Sequence, residues 1–244
     1  MIEVKNLSKK FGDRVIFKDI NFSIKPGTVS VVIGPSGTGK STMLRCLNLL
    51  ERPETGIMVL GDKEIDLSNA TKQEIQYIRE HISMVFQAFN LFKNKTALNN
   101  IVQPLVAVKK TKRAEAEMIA EELLEKVGLS HRRDAYPVTL SGGEQQRVGI
   151  ARAMGMKSDM ILFDEPTSAL DPGLVSEVLQ VIQKLEQENV TMLIVTHEMR
   201  FAQKIADQII FMDEGSIVEI APPDQLFNHP KDPRTVKFLE KMNS

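Results

Sequence analysis

Eight consecutive residues constrain this chain more than any other feature of its sequence. Residues 34–41 are Gly-Pro-Ser-Gly-Thr-Gly-Lys-Ser, which fits the pattern GxxxxGK[ST]. The β-branched run at residues 29–33 predicts a strand before this loop, and apolar residues at helical spacing over residues 40–50 predict a helix after it. Such a loop turns backbone N–H groups inward at the positive end of a helix dipole. The segment therefore predicts a phosphate-binding site in an α/β protein.

The side chains of this loop have separate expected roles. Lys40 is expected to reach the β- and γ-phosphates of a nucleotide, and Ser41 to ligate Mg²⁺. The predicted nucleotide-binding residues here are Gly34, Pro35, Ser36, Gly37, Thr38, Gly39, Lys40, Ser41 and Thr42.

Two later apolar runs extend the fold prediction. Residues 160–163 and 192–195 have the unbroken apolar character of strands that are covered on both faces. Helical patterns near residues 174–188 and 199–206 alternate with them, as in βαβ crossovers. Clearer alternation at residues 2–6, 15–24 and 57–60 predicts an antiparallel sheet near the N-terminus. The predicted class is α/β with a mostly parallel central sheet.

The segment between these two halves has a different character. From about Ala88 to Ser141 the β-branched runs disappear, and residues 112–127 are rich in Ala, Glu, Leu and Lys. We expect one domain, in which residues 1–87 and 150–244 form an α/β lobe and residues 88–149 an inserted helical lobe.

Composition excludes several classes of protein. Cys46 is the only cysteine among 244 residues, so one chain can build neither a disulfide framework nor a zinc cluster, and a reducing cytosol fits. The formal net charge of −1 gives no electrostatic reason to expect a nucleic-acid partner. We expect no secretory signal, because the chain begins with a strand pattern. No apolar run reaches the ~18–20 residues of a membrane-spanning helix, so membrane contact is expected only through partners.

Two carboxylates follow the apolar run at residues 160–163. Asp164 and Glu165 would lie beside the phosphate loop if the two strands are neighbours in the sheet. Asp164 would then hold Mg²⁺ through its hydration shell, and Glu165 would polarise an attacking water. Taken alone, such a pair more often caps a helix or faces solvent.

A further motif identifies a family. Residues 140–146, Leu-Ser-Gly-Gly-Glu-Gln-Gln, open a predicted helix, with Ser141 as N-cap and Glu144 three residues later. The capping box alone indicates only a well-capped helix, but the seven residues resemble the signature of the ATP-binding cassette family. The resemblance assigns Ser141, Gly142, Gly143 and Gln145 to the ATP of a partner chain.

The resemblance implies roles for five more positions. Gln87 matches the family glutamine that senses Mg²⁺ and water, and His197 the switch histidine that contacts the γ-phosphate. Asp171 belongs to the loop that communicates across the dimer. Phe11 lies where the family stacks an aromatic ring on adenine, and Ile16 near the ribose. The site residues implied as catalytic are Glu165, His197 and Gln87, and those implied for Mg²⁺ are Ser41, Gln87 and Asp164.

The family mechanism implies ATP and Mg²⁺ as cofactors and a head-to-tail homodimer in the presence of ATP. It also implies transmembrane permease subunits, a solute-binding protein reached through them, and a peripheral place on the inner face of the cell membrane. Several stretches resemble the polar amino acid uptake group, including residues 45–51, 85–92 and 163–172.

Two alternatives stay open. One is a motor of the same family that powers envelope remodelling or lipoprotein release. The other is a soluble cassette ATPase acting on nucleic acid or ribosomes, which would favour a second cassette, a coiled-coil insertion, zinc-binding cysteines or a basic patch. The sequence shows none of these features.

Overall fold

Ten strands form two β-sheets in the computed structural model, which describes residues 1–243. They are β1 (Ile2–Phe11), β2 (Arg14–Ile24), β3 (Val29–Ile33), β4 (Thr55–Leu60), β5 (Lys63–Asp66), β6 (Ile82–Val85), β7 (Met160–Asp164), β8 (Met192–Val195), β9 (Gln208–Asp213) and β10 (Ser216–Ala221). The helices are α1 (Lys40–Leu47), α2 (Lys72–His81), α3 (Ala97–Ala107), α4 (Arg113–Lys126), α5 (Gly142–Gly155), α6 (Pro172–Gln187), α7 (Met199–Ile205), α8 (Pro223–Asn228) and α9 (Pro233–Asn243).

The larger sheet has six strands in the order β10-β9-β3-β8-β7-β6, and only the β9–β10 pair is antiparallel. Every residue of β3, β7 and β8 is buried, because helices and the second sheet cover both faces. The predicted α/β class with a mostly parallel central sheet is confirmed.

The order of strands corrects one expectation about the site. The strand before the phosphate loop and the strand that carries Asp164 are not neighbours, because β8 lies between β3 and β7. Helix α1 spans the gap instead: Nη2 of Arg45, in its second turn, lies 3.7 Å from Oδ2 of Asp164. The phosphate loop and the two carboxylates therefore meet through α1 rather than through direct strand pairing.

The smaller sheet is antiparallel, with the order β2-β1-β4-β5, as the alternating N-terminal patterns predicted. The β1–β2 pairing has irregular register near the hairpin, including a shift between Lys9 and Lys10. This sheet packs on the face of the larger sheet that also carries α1 and α2. Its β1–β2 hairpin thereby reaches the region of the phosphate loop.

Helices occupy the middle of the chain, and within residues 88–141 the structure contains no strand. Helices α3, α4 and α5 share one apolar core with the opposite face of the larger sheet. Helix α5 runs without a break through the expected lobe boundary between residues 149 and 150. No helix among residues 1–243 is both long enough and apolar enough to cross a bilayer.

Candidate functional site

The phosphate loop connects β3 to α1 in a conformation that depends on glycine. Gly34 has a φ of +148°, and a Cβ atom there would collide with the backbone carbonyl oxygen of Met212. Gly39 has a φ of +94°, and its Cβ would lie 2.9 Å from Cγ2 of Ile16. Gly39 is also the N-cap of α1, where it offers no side chain to the first-turn N–H groups. Those N–H groups can donate hydrogen bonds to the oxygens of a phosphate at the helix N-terminus.

Lys40 is folded back into this loop. Its side chain is buried, and Nζ donates to the carbonyl oxygens of Gly34, at 2.9 Å, and Pro35, at 2.7 Å. Burial lowers the pKa of the Lys40 ammonium, and the negative charge of Glu165 partly offsets this effect. The ammonium therefore lies inside the loop, hydrogen-bonded to two neutral carbonyl oxygens and near the carboxylate of Glu165.

A cleft of about 190 Å³ opens at the N-terminal end of α1. Its lining contains predicted nucleotide-binding residues and Glu165, together with one residue that sequence reasoning missed, Arg14. The lining residues are Arg14, Ile16, Gly37, Gly39, Lys40, Ser41, Thr42 and Glu165. Arg14 and Ile16 are two residues apart on β2, so the alternation of a strand places them on one face. That spacing from Ile16 is the signal that would have found Arg14.

Asp164 ends β7 deep in the protein, with 1% of its surface exposed. Burial raises the pKa of its carboxyl group, and the Ser41 hydroxyl and the Arg45 guanidinium only partly oppose this rise. Among the described residues, Oδ1 of Asp164 finds no hydrogen-bond partner. An unsatisfied, buried carboxylate oxygen close to a serine hydroxyl suits a hard cation such as Mg²⁺, which takes oxygen ligands. The residues present therefore fit the expected metal.

Glu165 and His197 form a contact across neighbouring strands. Oε1 of Glu165 lies 3.2 Å from Nε2 of His197, and the backbone N–H of Glu165 donates to the carbonyl oxygen of Val195. The hydrogen bond from His197 is the main cause that lowers the pKa of Glu165, with the charges of His197 and Lys40 also contributing, against the effect of burial. Because an ionised carboxylate only accepts, Nε2 of His197 carries the proton. Glu165 is thus an ionised base that faces the cleft.

Gln87 and Phe11 stand outside this cleft. Gln87 is exposed in the segment after β6, and Phe11, 47% exposed, ends β1 at the hairpin opposite Arg14. The structure brings Lys40, Ser41, Glu165 and Ile16 to one cleft, with Asp164 buried beside Ser41; of the residues that it describes, Gln87 and Phe11 do not line this cleft.

The signature segment caps α5 as predicted. Ser141 Oγ accepts from the N–H of Glu144 at 3.2 Å, and Glu144 Oε2 accepts from the N–H of Ser141 at 2.8 Å. Burial would raise the pKa of Glu144, but Arg132 and Ser141 lower it overall, and Oε1 of Glu144 lies 2.8 Å from Nε of Arg132. Gln145 donates to the carbonyl oxygen of Leu140. The cap is therefore a charged, hydrogen-bonded unit that fixes the N-terminus of α5.

The two signature glycines pack against the segment that leads into α6. A Cβ atom on Gly142 would lie 3.0 Å from Cδ2 of Leu170, and one on Gly143 would lie 3.2 Å from Cβ of Leu174. Asp171, the N-cap of α6, is exposed between these two leucines. Of the described residues that line the phosphate cleft, none comes from the start of α5. Within one chain, the signature and the phosphate loop are therefore separate surfaces.

Comparisons with known proteins agree with this geometry. Residues 17–168 match the family model described as ABC transporter. The chain is 51% identical to the probable amino-acid import ATP-binding protein YxeO of Bacillus subtilis (strain 168), over 99% of this chain and 97% of that protein. It is 53% identical to the L-cystine transport system ATP-binding protein TcyN of Escherichia coli (strain K12), over 98% of this chain and 97% of that protein.

A solved structure resembles the fold over nearly its full length. The dimeric, post-hydrolysis structure of the ATP-binding cassette MJ0796 bound to ADP and Pi has a TM-score of 0.81 and 33% identity. It covers 91% of this chain and 99% of that chain.

Proposed function

The chain belongs to the ABC transporter family and is an ATP-hydrolysing subunit of that family, and from this premise we propose that it powers the import of polar amino acids. The proposed hydrolysis of ATP rests on one observation: the ionised Glu165 faces the same cleft as Lys40 and contacts His197. The proposed solute class is supported by relatives whose names specify amino acids or cystine.

The cleft residues have distinct proposed tasks in hydrolysis. The N–H groups of the phosphate loop bind the β- and γ-phosphates, and Lys40 leaves the carbonyl oxygens of Gly34 and Pro35 to join them. Glu165 accepts a proton from the attacking water, and His197 holds the carboxylate in place and reaches the γ-phosphate. Ile16 lies beside the ribose in this arrangement.

Ser41 and Asp164 would hold Mg²⁺, and the side-chain oxygen of Gln87 would be a further ligand. The metal neutralises charge on the β- and γ-phosphates when it is bound. The unsatisfied Oδ1 of buried Asp164 supports this assignment. The guanidinium of Arg45, 3.7 Å from Oδ2 of Asp164, partly opposes the rise that burial causes in the pKa of this carboxyl group.

Each active site is proposed to form between two chains of this protein. Ser141, Gly142, Gly143 and Gln145 of one chain cover the ATP held by the phosphate loop of the other, and Asp171 lies at the contact between the chains. The support is that one chain keeps these surfaces apart, while a related cassette has a dimeric structure with ADP and Pi. Hydrolysis then reopens the pair.

Permease subunits are partners of this family, and a groove beside Gln87 suits such a contact. The groove has a volume of about 400 Å³ and includes Leu50, Met84 and Phe92 in its lining. Two guanidinium groups also line it: Arg79 donates to the carbonyl oxygen of Leu49, and Arg152 to those of Phe89 and Asn90. An apolar helix that carries a carboxylate complements this lining.

We place the protein on the inner face of the cell membrane, bound through its permease, with a solute-binding protein delivering the solute from outside. The test is reconstitution with its permease subunits in vesicles and a panel of solute-binding proteins. Polar amino acids with their binding protein should stimulate ATP hydrolysis and uptake. Stimulation by sugars or metal ions, with amino acids silent, would refute the proposed solute class while leaving the ATPase assignment intact.

A further inference from the structure

Lys9 is a buried lysine on β1 that the proposed mechanism does not use. Only 8% of its surface is exposed. Its ammonium donates to the carbonyl oxygen of Arg52 at 2.6 Å and lies 3.7 Å from Oε1 of Glu54. The same ammonium lies 4.7 Å from the centroid of the Phe11 ring. One charged group thus joins the end of β1 to the loop that follows α1.

Burial of an ammonium is costly unless hydrogen bonds and opposite charge compensate for it. Arg52 and Glu54 supply both, and Glu54 is itself fixed because its Oε2 accepts from the backbone N–H of Lys10 at 2.6 Å. The position of Nζ is therefore set by the loop and not by the aromatic ring. Phe11, in contrast, is half-exposed.

We propose that Lys9 is a positioning residue for nucleotide binding: its ammonium holds one face of the Phe11 ring, so that the opposite face is presented to adenine. This inference rests on the proposed stacking role of Phe11. A cation above a ring face is attracted to the π-electrons, which favours one tilt of this half-exposed ring. A stacking surface that is oriented before binding loses less conformational freedom when the base arrives.

In this arrangement Lys9 contributes to binding of the adenine base and not to binding of the phosphates. The phosphates are bound by the loop at the start of α1, whereas the ammonium of Lys9 contacts the aromatic residue and its supporting loop. A substitution of Lys9 should therefore weaken the binding of ligands that carry adenine and leave the binding of phosphate groups unchanged. Loss of the fold around β1 would weaken both kinds of ligand.

The experiment compares ADP with inorganic pyrophosphate by isothermal titration calorimetry, since neither compound fuels turnover. Lys9→Met keeps most of the side-chain length and removes the charge. It should weaken ADP binding about three- to tenfold and leave pyrophosphate binding unchanged. Lys9→Arg, which retains a cation above the ring, should bind ADP within about twofold of wild type. Lys10→Met is the matched control, because Lys10 is an exposed lysine on the same strand.

A double-mutant cycle separates this inference from the proposed role of Phe11. Phe11→Ala should weaken ADP binding about 5- to 150-fold, and adding Lys9→Met to it should have no further effect. If Phe11→Ala weakens ADP binding and Lys9→Met does not, the positioning role is refuted and the stacking role survives. If neither change matters, the stacking role fails as well.

Two further outcomes would also overturn the proposal. One is an equal loss of ADP and pyrophosphate binding in Lys9→Met, and the other is an additive loss in the double variant. Should Lys9→Met fail to fold, Glu54→Gln removes one anchor of the ammonium with less disturbance. It should show the same selective loss of ADP binding with a smaller amplitude, and unchanged ADP binding in that variant would count against the proposal.

Discussion

The carboxylate of Glu165 and the imidazole of His197 lie 3.2 Å apart, one just past the end of β7 and the other just past the end of β8. The pairing of these strands aligns Asp164 with Val195, so the two residues emerge at the same edge of the sheet. Glu165 has a φ of +46°, a left-handed conformation that few residues with a side chain adopt. Among residues 1–243 this conformation also occurs at non-glycine positions in turns, such as Leu49 and Lys157, so the contact with His197 is what distinguishes Glu165.

Glu165→Gln should reduce ATP hydrolysis about 10²- to 10⁴-fold, because the amide cannot accept a proton from the attacking water. ATP binding should survive, and the loss of a negative charge near the γ-phosphate should let an ATP-bound dimer accumulate. Light scattering would detect that dimer, and wild type should remain mostly monomeric. Hydrolysis at the wild-type rate would remove Glu165 from its proposed role.

His197→Ala should move the acid limb of the pH–rate profile to higher pH. The pKa of Glu165 lies below its usual range mainly because His197 donates to it, so the base stays ionised at neutral pH. A depressed carboxyl pKa contributes stability above the unfolded value of about 4.3, and that contribution is lost as pH falls through the folded value. Removing the donor raises the folded pKa. An acid limb that does not shift, measured as kcat/KM against pH, would contradict this coupling.

Ser141→Arg should bind ATP as a monomer, because the phosphate loop of the variant chain is unchanged. It should fail to dimerise, because the large, charged arginine side chain would enter the phosphate site of the partner chain. The double variant with Glu165→Gln should also stay monomeric. Ser141→Arg mixed with Lys40→Ala should regain activity, because one complete site can form from the loop of the first chain and the signature of the second. Wild-type hydrolysis by Ser141→Arg alone would show that the site is not shared.

Asp164→Asn should abolish Mg²⁺-dependent hydrolysis yet stabilise the nucleotide-free protein by about 0.5–2 kcal/mol at neutral pH. Burial raises the pKa of Asp164 in the folded protein above its value in the unfolded chain. The free energy of unfolding of wild type therefore falls as the pH rises from the unfolded pKa to the folded pKa. The amide removes that loss of stability. Thermal unfolding should therefore show a gain over wild type that shrinks as the pH is lowered toward about 4. A gain that does not depend on pH would contradict this explanation.

Arg14→Met should weaken ATP binding about three- to tenfold at low salt, because it removes a positive charge that lines the phosphate cleft. The side chain is exposed, so added salt should reduce the difference from wild type. Lys18→Met, on the same strand and also exposed, serves as the control. Equal salt dependence for both variants would argue against contact between Arg14 and the phosphates.

The sequence alone determined the parts of this protein that depend on local pattern. The loop from Gly34 to Ser41 is recognisable from its own residues, because Gly34, Gly37 and Gly39 adopt positive φ angles that residues with side chains rarely take. The Ser141–Glu144 capping box needs only residues three apart, and buried parallel strands are apolar throughout. For the same reason, the class of fold and most candidate site residues can be predicted from local spacing and from the family resemblance.

Only the tertiary structure decided how distant segments meet. Strand order depends on the packing of the whole sheet, and the sequence could not show that β8 lies between β3 and β7, or that Arg45 on α1 reaches Asp164. The contact of Glu165 with His197 depends on that same order. The burial of Lys9 likewise depends on a distant segment, because its ammonium donates to the carbonyl oxygen of Arg52 and lies near Glu54. Arg14 reaches the cleft only because the β1–β2 hairpin folds over the phosphate loop. Local spacing specifies elements, whereas contacts between them follow from the packing of the complete chain.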